Sequence, residues 1–247
     1  MSIERLDKLL AAHNLGSRKD VGTMVRRGSV AVNGAAVKKA DFKVDTQSDE
    51  VTVNGETLLI KEFMYIMMNK PSGVLSAARD TRAQTVVDLL SPQLKRRGLF
   101  PAGRLDKDTE GLLIITDDGA FAHRMLAPKS HVFKKYQAVL AAPVSEDDRR
   151  KFEEGVVLND MTCLPAELKV LAEGENPLVE IRIREGKFHQ VKRMFLALHN
   201  EVLKLKRVQI GALALDETLQ PGEARELTQT EIEAVFNQSK YEICTKF

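Results

Sequence analysis

Gly103-Arg104-Leu105-Asp106-Lys107-Asp108-Thr109-Glu110-Gly111 runs directly into Leu112-Leu113-Ile114-Ile115, a charged segment fused to an unbroken apolar one. A short apolar run bounded by turn residues reads as a buried strand, and a polar loop at its end is a place where a fold presents a reactive side chain on a rigid support. If the loop is extended, Arg104 and Asp106 lie two residues apart and project to the same side, a carboxylate with a cation at hand. Such a carboxylate suits nucleophilic or acid/base chemistry. A charged loop that is merely hydrated fits the same spacing.

The flanks of this stretch set the fold class. Phe63 to Asn69 has the composition of an apolar strand and is stopped by Lys70-Pro71-Ser72-Gly73, a Pro/Gly turn. Leu112 to Thr116 is a second strand, closed by Asp117-Asp118-Gly119, after which Ala120 to Leu126 is predicted helical. Tyr136 to Ala141 and Leu178 to Arg184 read as further strands, and the spacing of Val191, Phe195 and Leu198 predicts a helix. Strands and helices do not alternate regularly. That favours an α+β domain with a largely antiparallel mixed sheet over a doubly wound parallel one. The chain contains no G-x-x-x-x-G-K-[ST], and no G-x-G-x-x-G follows a strand, so no nucleotide cofactor is expected.

Calcium is the rival reading of the opening stretch. Asp106, Asp108 and Glu110 at positions one, three and five, Gly111 at six and Asp117 at twelve match the spacing of an EF-hand loop. The flanks disagree, because that motif requires two amphipathic helices and would turn Leu112 to Ile115 into loop.

A chain of 247 residues that is 43% hydrophobic has material for one large domain, or for a small one and a medium one. Its longest apolar runs, such as Leu112 to Ile115 and Ala138 to Val144, are far shorter than a bilayer span, and Met1-Ser2-Ile3-Glu4-Arg5 lacks the apolar core of a signal peptide. No membrane association is expected, and the cytoplasm is the expected compartment. Cys163 and Cys244 have no second pair to make metal-ligand spacing, and the five histidines are scattered, so neither a disulfide scaffold nor a metal site is expected.

The charge is unevenly placed. Residues 1 to 43 hold nine Lys or Arg against four Asp or Glu, an excess of five where the whole chain carries only +2. Such a segment suits a polyanion, since each neutralised phosphate releases counterions. Ile3, Leu6, Leu9 and Leu10 recur at helical spacing, and Ser17 can cap a second helix from Arg18 to Arg27. Val30-Ala31-Val32-Asn33-Gly34 and Val51-Thr52-Val53-Asn54-Gly55 are alternating strands that end in hairpin-forming Asn-Gly pairs. With Arg5-Leu6-Asp7-Lys8 and the Ser17-Arg18 start, this module resembles the small RNA-binding domain named after ribosomal small-subunit protein four. The resemblance implies RNA contacts from Arg5, Lys8, Arg18, Lys19, Arg26 and Arg27.

Four further segments follow in order: Asn69-Lys70-Pro71-Ser72-Gly73, Gly103-Arg104-Leu105-Asp106, Lys134-Lys135-Tyr136 and Glu185-Gly186-Lys187-Phe188-His189-Gln190-Val191-Lys192-Arg193-Met194. Together they resemble the pseudouridine synthases, more narrowly the RsuA type that modifies bacterial small-subunit ribosomal RNA and carries the same N-terminal module. The resemblance runs from about residue 3 to about residue 235. It implies an RNA-binding domain over 1–58, a linker over 59–63, a catalytic domain over 64–238 and a tail over 239–247 with no counterpart. It also implies Asp106 as the catalytic carboxylate, and substrate contacts from Arg104 (wedge or phosphate anchor), Tyr136 (stacking platform), Lys192 (cation against the carboxylate) and Lys70. His189 and Gln190 are expected mainly to support their loop. The implied enzyme needs no cofactor and no metal, and works as a monomer on ribosomal RNA, within a small-subunit assembly intermediate. A large-subunit target and a noncatalytic ribosome-assembly protein are the alternatives, the latter disfavoured by the intact Arg104-Leu105-Asp106.

Overall fold

The structure, a computed structural model, describes residues 3–237. The chain divides into two compact units, residues 1–64 with 92–99, and residues 65–91 with 100–247. The first unit contains β1 (Ile3–Arg5), α1 (Leu6–Ala12), α2 (Arg18–Arg26), β2 (Val30–Val32), β3 (Ala35–Ala36), β4 (Lys43–Asp45), β5 (Val51–Val53) and β6 (Glu56–Thr57).

The first helix begins later than the spacing predicts. Arg5 is extended, Ile3 pairs with Asp45 in a strand, and the N–H groups of Leu6 and Asp7 donate to the carbonyls of Phe42 and Ala40. Those bonds satisfy two of the donors that a helix start leaves orphaned, so the chain enters α1 from a strand. The second helix starts where expected, with Ser17 and Asp20 forming a reciprocal capping box. In both Asn-Gly pairs the two residues have positive φ, as a type I′ hairpin turn requires. The two hairpins join along β2 and β5, giving the order β3-β2-β5-β6. Leu6, Leu9 and Leu10 pack with Val21, Val25, Val30 and Val32 in one core. The expected linker belongs to this unit as well: the Arg96 guanidinium donates to the carbonyls of Lys61 and Glu62 at 2.7 and 3.0 Å. The observed division therefore differs from a contiguous 1–58 and 64–238, and takes in Pro92–Leu99 with the first unit. The tail at 239–247, with Cys244, lies outside the described residues.

The second unit contains β7 (Tyr65–Lys70), β8 (Phe100–Pro101), β9 (Glu110–Thr116), α3 (Gly119–Leu126), β10 (Lys134–Leu140), α4 (Glu146–Glu154), β11 (Glu167–Ala172), β12 (Leu178–Ile183), α5 (Gln190–Ala197), β13 (Val202–Ile210), β14 (Leu213–Ala214), β15 (Ala224–Glu226) and α6 (Gln229–Ala234). A mixed sheet runs β11-β12-β10-β13-β9-β7-β15, with β14 on β13 and β8 on β9. Only β9 and β13 pair in parallel among these strands, which is the α+β, largely antiparallel arrangement expected. Leu112, Leu113, Ile114 and Ile115 are all fully buried, so this apolar run is a central strand covered on both faces. Leu112 and Ile114 meet Phe121, Ala122 and Met125 of α3. Asp118 caps that helix by accepting the Phe121 N–H at 2.9 Å, and its other oxygen takes the Tyr65 hydroxyl at 2.7 Å.

The EF-hand spacing has no structural counterpart. Residues 110 to 116 form a strand, which at about 3.3 Å per residue carries Asp117 some 20 Å from the loop that holds Asp106 and Asp108. Among the described residues no cluster of three or more His, Cys, Asp or Glu side chains could hold a metal ion.

Gly111 makes the parallel pairing with β13 feasible. Its φ is +98°, and a Cβ there would overlap the Arg207 carbonyl. Gly111→Ala should therefore cost roughly 2 kcal/mol or more, a fall in Tm of about 5 °C or more read by thermal unfolding. A change below about 1 °C would show that the β9–β13 contact relaxes freely.

Candidate active site

Both ends of the charged loop are fixed by the sheet. It leaves β8 and enters β9 at Gly111, which lies opposite Lys70 in the β7–β9 ladder. Lys70 is fully buried, and its ammonium donates to the carbonyls of Pro71, Lys107 and Thr109 at 3.0, 3.1 and 2.9 Å. Burial pushes its pKa down to about 8, against the attraction of Asp108, Asp106 and Glu110. Lys70, expected to touch substrate, has its three donors on main-chain carbonyls and is not part of the cavity wall. Its work is to hold the loop. On the other side, the Ser76 hydroxyl donates to the Leu105 carbonyl at 2.8 Å and accepts the Leu105 N–H at 3.1 Å.

The loop roofs a cavity of about 230 Å³. Its wall includes Ile183 on β12, Lys134 and Tyr136 on β10, Leu205 and Arg207 on β13, with Arg104, Asp106 and Thr109 from the loop and Glu185, His189 and Gln190 from the segment that leads into α5. Lys134 and Tyr136 share a face because they are two residues apart on one strand. A register shift between Lys135 and Tyr136 interrupts the β10–β13 ladder at this point, a common device for re-aiming a side chain beside a site. Tyr136 is buried, with Ile181 opposite on one neighbouring strand and Arg207 on the other.

Asp106 is half-buried and faces an imidazole and an ammonium. His189 Nε2 lies 3.5 Å from its Oδ1, and Lys192 Nζ lies 3.8 Å from its Oδ2. Lys192 donates a hydrogen bond of 2.6 Å to Asp108 instead, and that bond holds the Asp108 carboxyl below the usual carboxylate range. The expected cation is thus present, but it is shared between two carboxylates. Arg104 is exposed at the cavity rim and makes no ion pair among the described residues.

Sequence reasoning underrates His189. It sits in the left-handed region at φ 48° as the N-cap of α5, half-exposed, its ring stacked on Phe188 at 3.8 Å between centroids. Phe188 itself is 73% exposed. Gln190 does support the loop, as expected: it is buried, donates to Glu185 at 2.8 Å and accepts the Lys187 N–H at 3.0 Å. The signal that could flag His189 is its place next to Gln190 at a helix start, but only the fold brings residue 189 to residue 106.

In the first unit, Arg18, Lys19 and Arg27 are exposed on or just after α2 without ion pairs among the described residues, and Arg26 donates only to Thr23. Arg5 and Lys8 are engaged locally, with Asp7 at 2.9 Å and Glu4 at 2.7 Å. No described helix is long and apolar enough to cross a membrane.

Asp106 thus shares one cavity with the buried Tyr136, on a loop held from behind by Lys70. The chain belongs to the RNA pseudouridylate synthase family, whose model matches residues 64–197, and an S4 domain matches residues 4–51. It is an RNA pseudouridine synthase with an N-terminal RNA-binding domain. Among its relatives, "Uncharacterized RNA pseudouridine synthase YtzG" of Bacillus subtilis is 49% identical, covering 92% of this chain and 96% of its own. "Ribosomal small subunit pseudouridine synthase A" of Vibrio cholerae is 42% identical over 94% and 99%. "Ribosomal large subunit pseudouridine synthase B" of Bacillus subtilis is 38% identical over 93% and 94%. A solved structure titled "Crystal structure of pseudouridylate synthase" superposes with a TM-score of 0.66 at 39% identity, covering 94% of this chain and 99% of that one.

Replacing Lys70 by Met should strand three main-chain carbonyls, two in the loop and one at Pro71, at about 1 kcal/mol or more each. The expected result is a loss of roughly 3 kcal/mol in denaturant unfolding together with a slower single-turnover rate, while RNA affinity stays within about twofold. If affinity collapses and the rate constant does not, Lys70 contacts substrate after all.

Proposed function

We propose that this protein converts a specific uridine of bacterial small-subunit (16S) ribosomal RNA to pseudouridine, acting as a cytoplasmic monomer on an assembly intermediate. The observation that carries the reading is the meeting of Asp106 and Tyr136 in one cavity on a family-matched domain. The small-subunit target is favoured by the 42% identical relative of that name over the 38% identical relative named for the large subunit. The reaction breaks the bond from the sugar's anomeric carbon to ring nitrogen, turns the uracil, and rejoins it through ring carbon 5. The target nucleotide leaves its stack to enter the cavity, at a cost of a few kcal/mol. Tyr136 stacks on the flipped ring, and Arg104, unpaired at the rim, takes the vacated space or a flanking phosphate. Asp106 attacks the anomeric carbon or removes a sugar proton; either role needs an ionised, aimed carboxylate, which Lys192 and His189 favour from 3.8 and 3.5 Å. The RNA is gripped by the basic face of the first unit.

Asp106→Asn should lower product formation by at least about 10⁴-fold while RNA binding persists, since loss of a central catalytic group costs up to about a millionfold. Turnover within tenfold of the wild type would sink the assignment. Pseudouridine mapping of both ribosomal RNAs from cells lacking the gene should show one missing modification in the small subunit; a gap in the large subunit instead would favour the alternative target.

Replacing Arg18, Lys19, Arg26 and Arg27 together by Ala should weaken RNA binding and flatten its dependence on salt, by about 0.7 to 0.9 in log–log slope for each phosphate that is no longer neutralised. The single-turnover rate at saturating protein should hold. An unchanged slope would make this face a hydrated surface only.

A further inference from the structure

The wall of the Asp106 cavity contains buried polar groups without the partners their burial calls for. Lys134 is 7% exposed and Arg207 5%, and neither pairs with an acid among the described residues. Arg207 Nε donates to the Leu112 carbonyl at 2.8 Å, which fixes the guanidinium, yet its Nη2 is buried with no acceptor. The Thr109 hydroxyl, on a residue 1% exposed, is also without a partner. Burial and the charge of Arg207 together push the Lys134 pKa down to about 8. Two neighbouring cations in a low-dielectric wall repel each other and lose hydration, and such an arrangement is costly unless an electron-rich ligand completes it.

We propose that Lys134 and Arg207, with the Thr109 hydroxyl, form a receptor for the carbonyl oxygens of the flipped uracil and stabilise the negative charge the ring carries while detached from the sugar. The inference rests on the reading of this cavity as the reaction site. Arg207 lies directly across the β10–β13 ladder from Tyr136, and Lys134 is two residues from Tyr136 on the same face. A base stacked on that tyrosine has its edge toward both cations. When the bond from ring N1 to the anomeric carbon breaks, its electron pair leaves with N1, and the uracil becomes a monoanion whose charge is delocalised over its oxygens. Ring C5 then supplies the pair that forms the new bond to the anomeric carbon; C5 loses its proton, N1 gains one, and the product is an isomer of the substrate. Both routes open to Asp106 pass through this anion. Preorganised donors aimed at charge that develops during reaction are worth far more in a closed site than in water.

The test uses full-length Lys134→Gln, Lys134→Arg and Arg207→Lys proteins with Asp106→Asn as control. Substrates are small-subunit ribosomal RNA transcribed with uridine or with 5-fluorouridine, whose base is the better anion; large-subunit transcript replaces it if the wild type is inert on the first. Loss of the N-glycosidic bond is followed in single turnover, RNA affinity by titration, and folding by thermal unfolding. Lys134→Gln should slow the uridine reaction by about 100-fold or more, with RNA affinity within about threefold and unfolding unchanged. On 5-fluorouridine the deficit should shrink to below about tenfold, because the better leaving group needs less help, and Lys134→Arg should restore most of the rate. An equal deficit on both substrates, or a uridine rate within about threefold of the wild type, overturns the proposal. Should Lys134→Gln fail to fold, Arg207→Lys is judged by the same criteria. An active Asp106→Asn protein would instead remove the site reading, and the proposal with it.

Discussion

The loop that carries Asp106 depends on a buried ammonium. A loop that must stay irregular to aim a side chain cannot satisfy its own carbonyls by strand or helix pairing, and carbonyls turned inward have no water to meet. Lys70 resolves this at the point where β7 ends, spending its three N–H donors on two carbonyls within the loop and on that of Pro71 beside it. The cation itself is then the cost, visible in a pKa drawn down to about 8. Asp106, Asp108 and Glu110 offset it by their negative charge. The acids of the loop therefore also steady the positive pin behind them.

Within that loop, Asp106 and Asp108 have different fates although they are two residues apart. Asp108 is mostly exposed and takes the short hydrogen bond from Lys192. Asp106 faces the cavity and receives only longer-range attraction from Lys192 and His189. A lysine ammonium is a point charge with rotatable donors, so it can be held by one carboxylate while still biasing another, which a bidentate arginine fork would do less readily. The division leaves the Asp106 oxygens largely uncommitted. That is what a carboxylate needs if it must reach a sugar rather than stay locked in an ion pair.

The strands and their type are legible because the apolar runs are short and end in turn residues, and both hairpins because Asn-Gly admits few other conformations. Helical spacing misplaces Ile3 for a physical reason: it counts side chains, whereas the helix start is decided by backbone N–H groups of Leu6 and Asp7 finding carbonyls more than thirty residues downstream. The inclusion of Pro92–Leu99 with the first unit has the same origin, long-range bonds such as those of Arg96 that leave no local pattern. Motif resemblance singles out Asp106 and Tyr136, and the fold brings both to one cavity. Lys70 is misleading because a lysine before a proline turn reads the same whether its ammonium points to solvent or to three carbonyls. Arg207 lies in no motif at all; only the antiparallel pairing of β13 with β10 sets it across from Tyr136.

The cations of this protein fall into two populations with different physics. Those on and near α2 are exposed and unpaired, so their attraction for phosphates is screened within about 8 to 10 Å at ordinary ionic strength. Lys134 and Arg207 are buried in the cavity wall, where the effective dielectric is lower than in water. The first population can raise RNA affinity without sequence preference, and the cell's salt tunes it. On the function proposed above, the second acts only on a base that has already left its stack and entered the cavity. Selectivity for one uridine then need not come from reading many bases: a weak, general hold on phosphates presents candidate sites, and the strong buried field takes effect where the RNA lets a uridine flip at low cost.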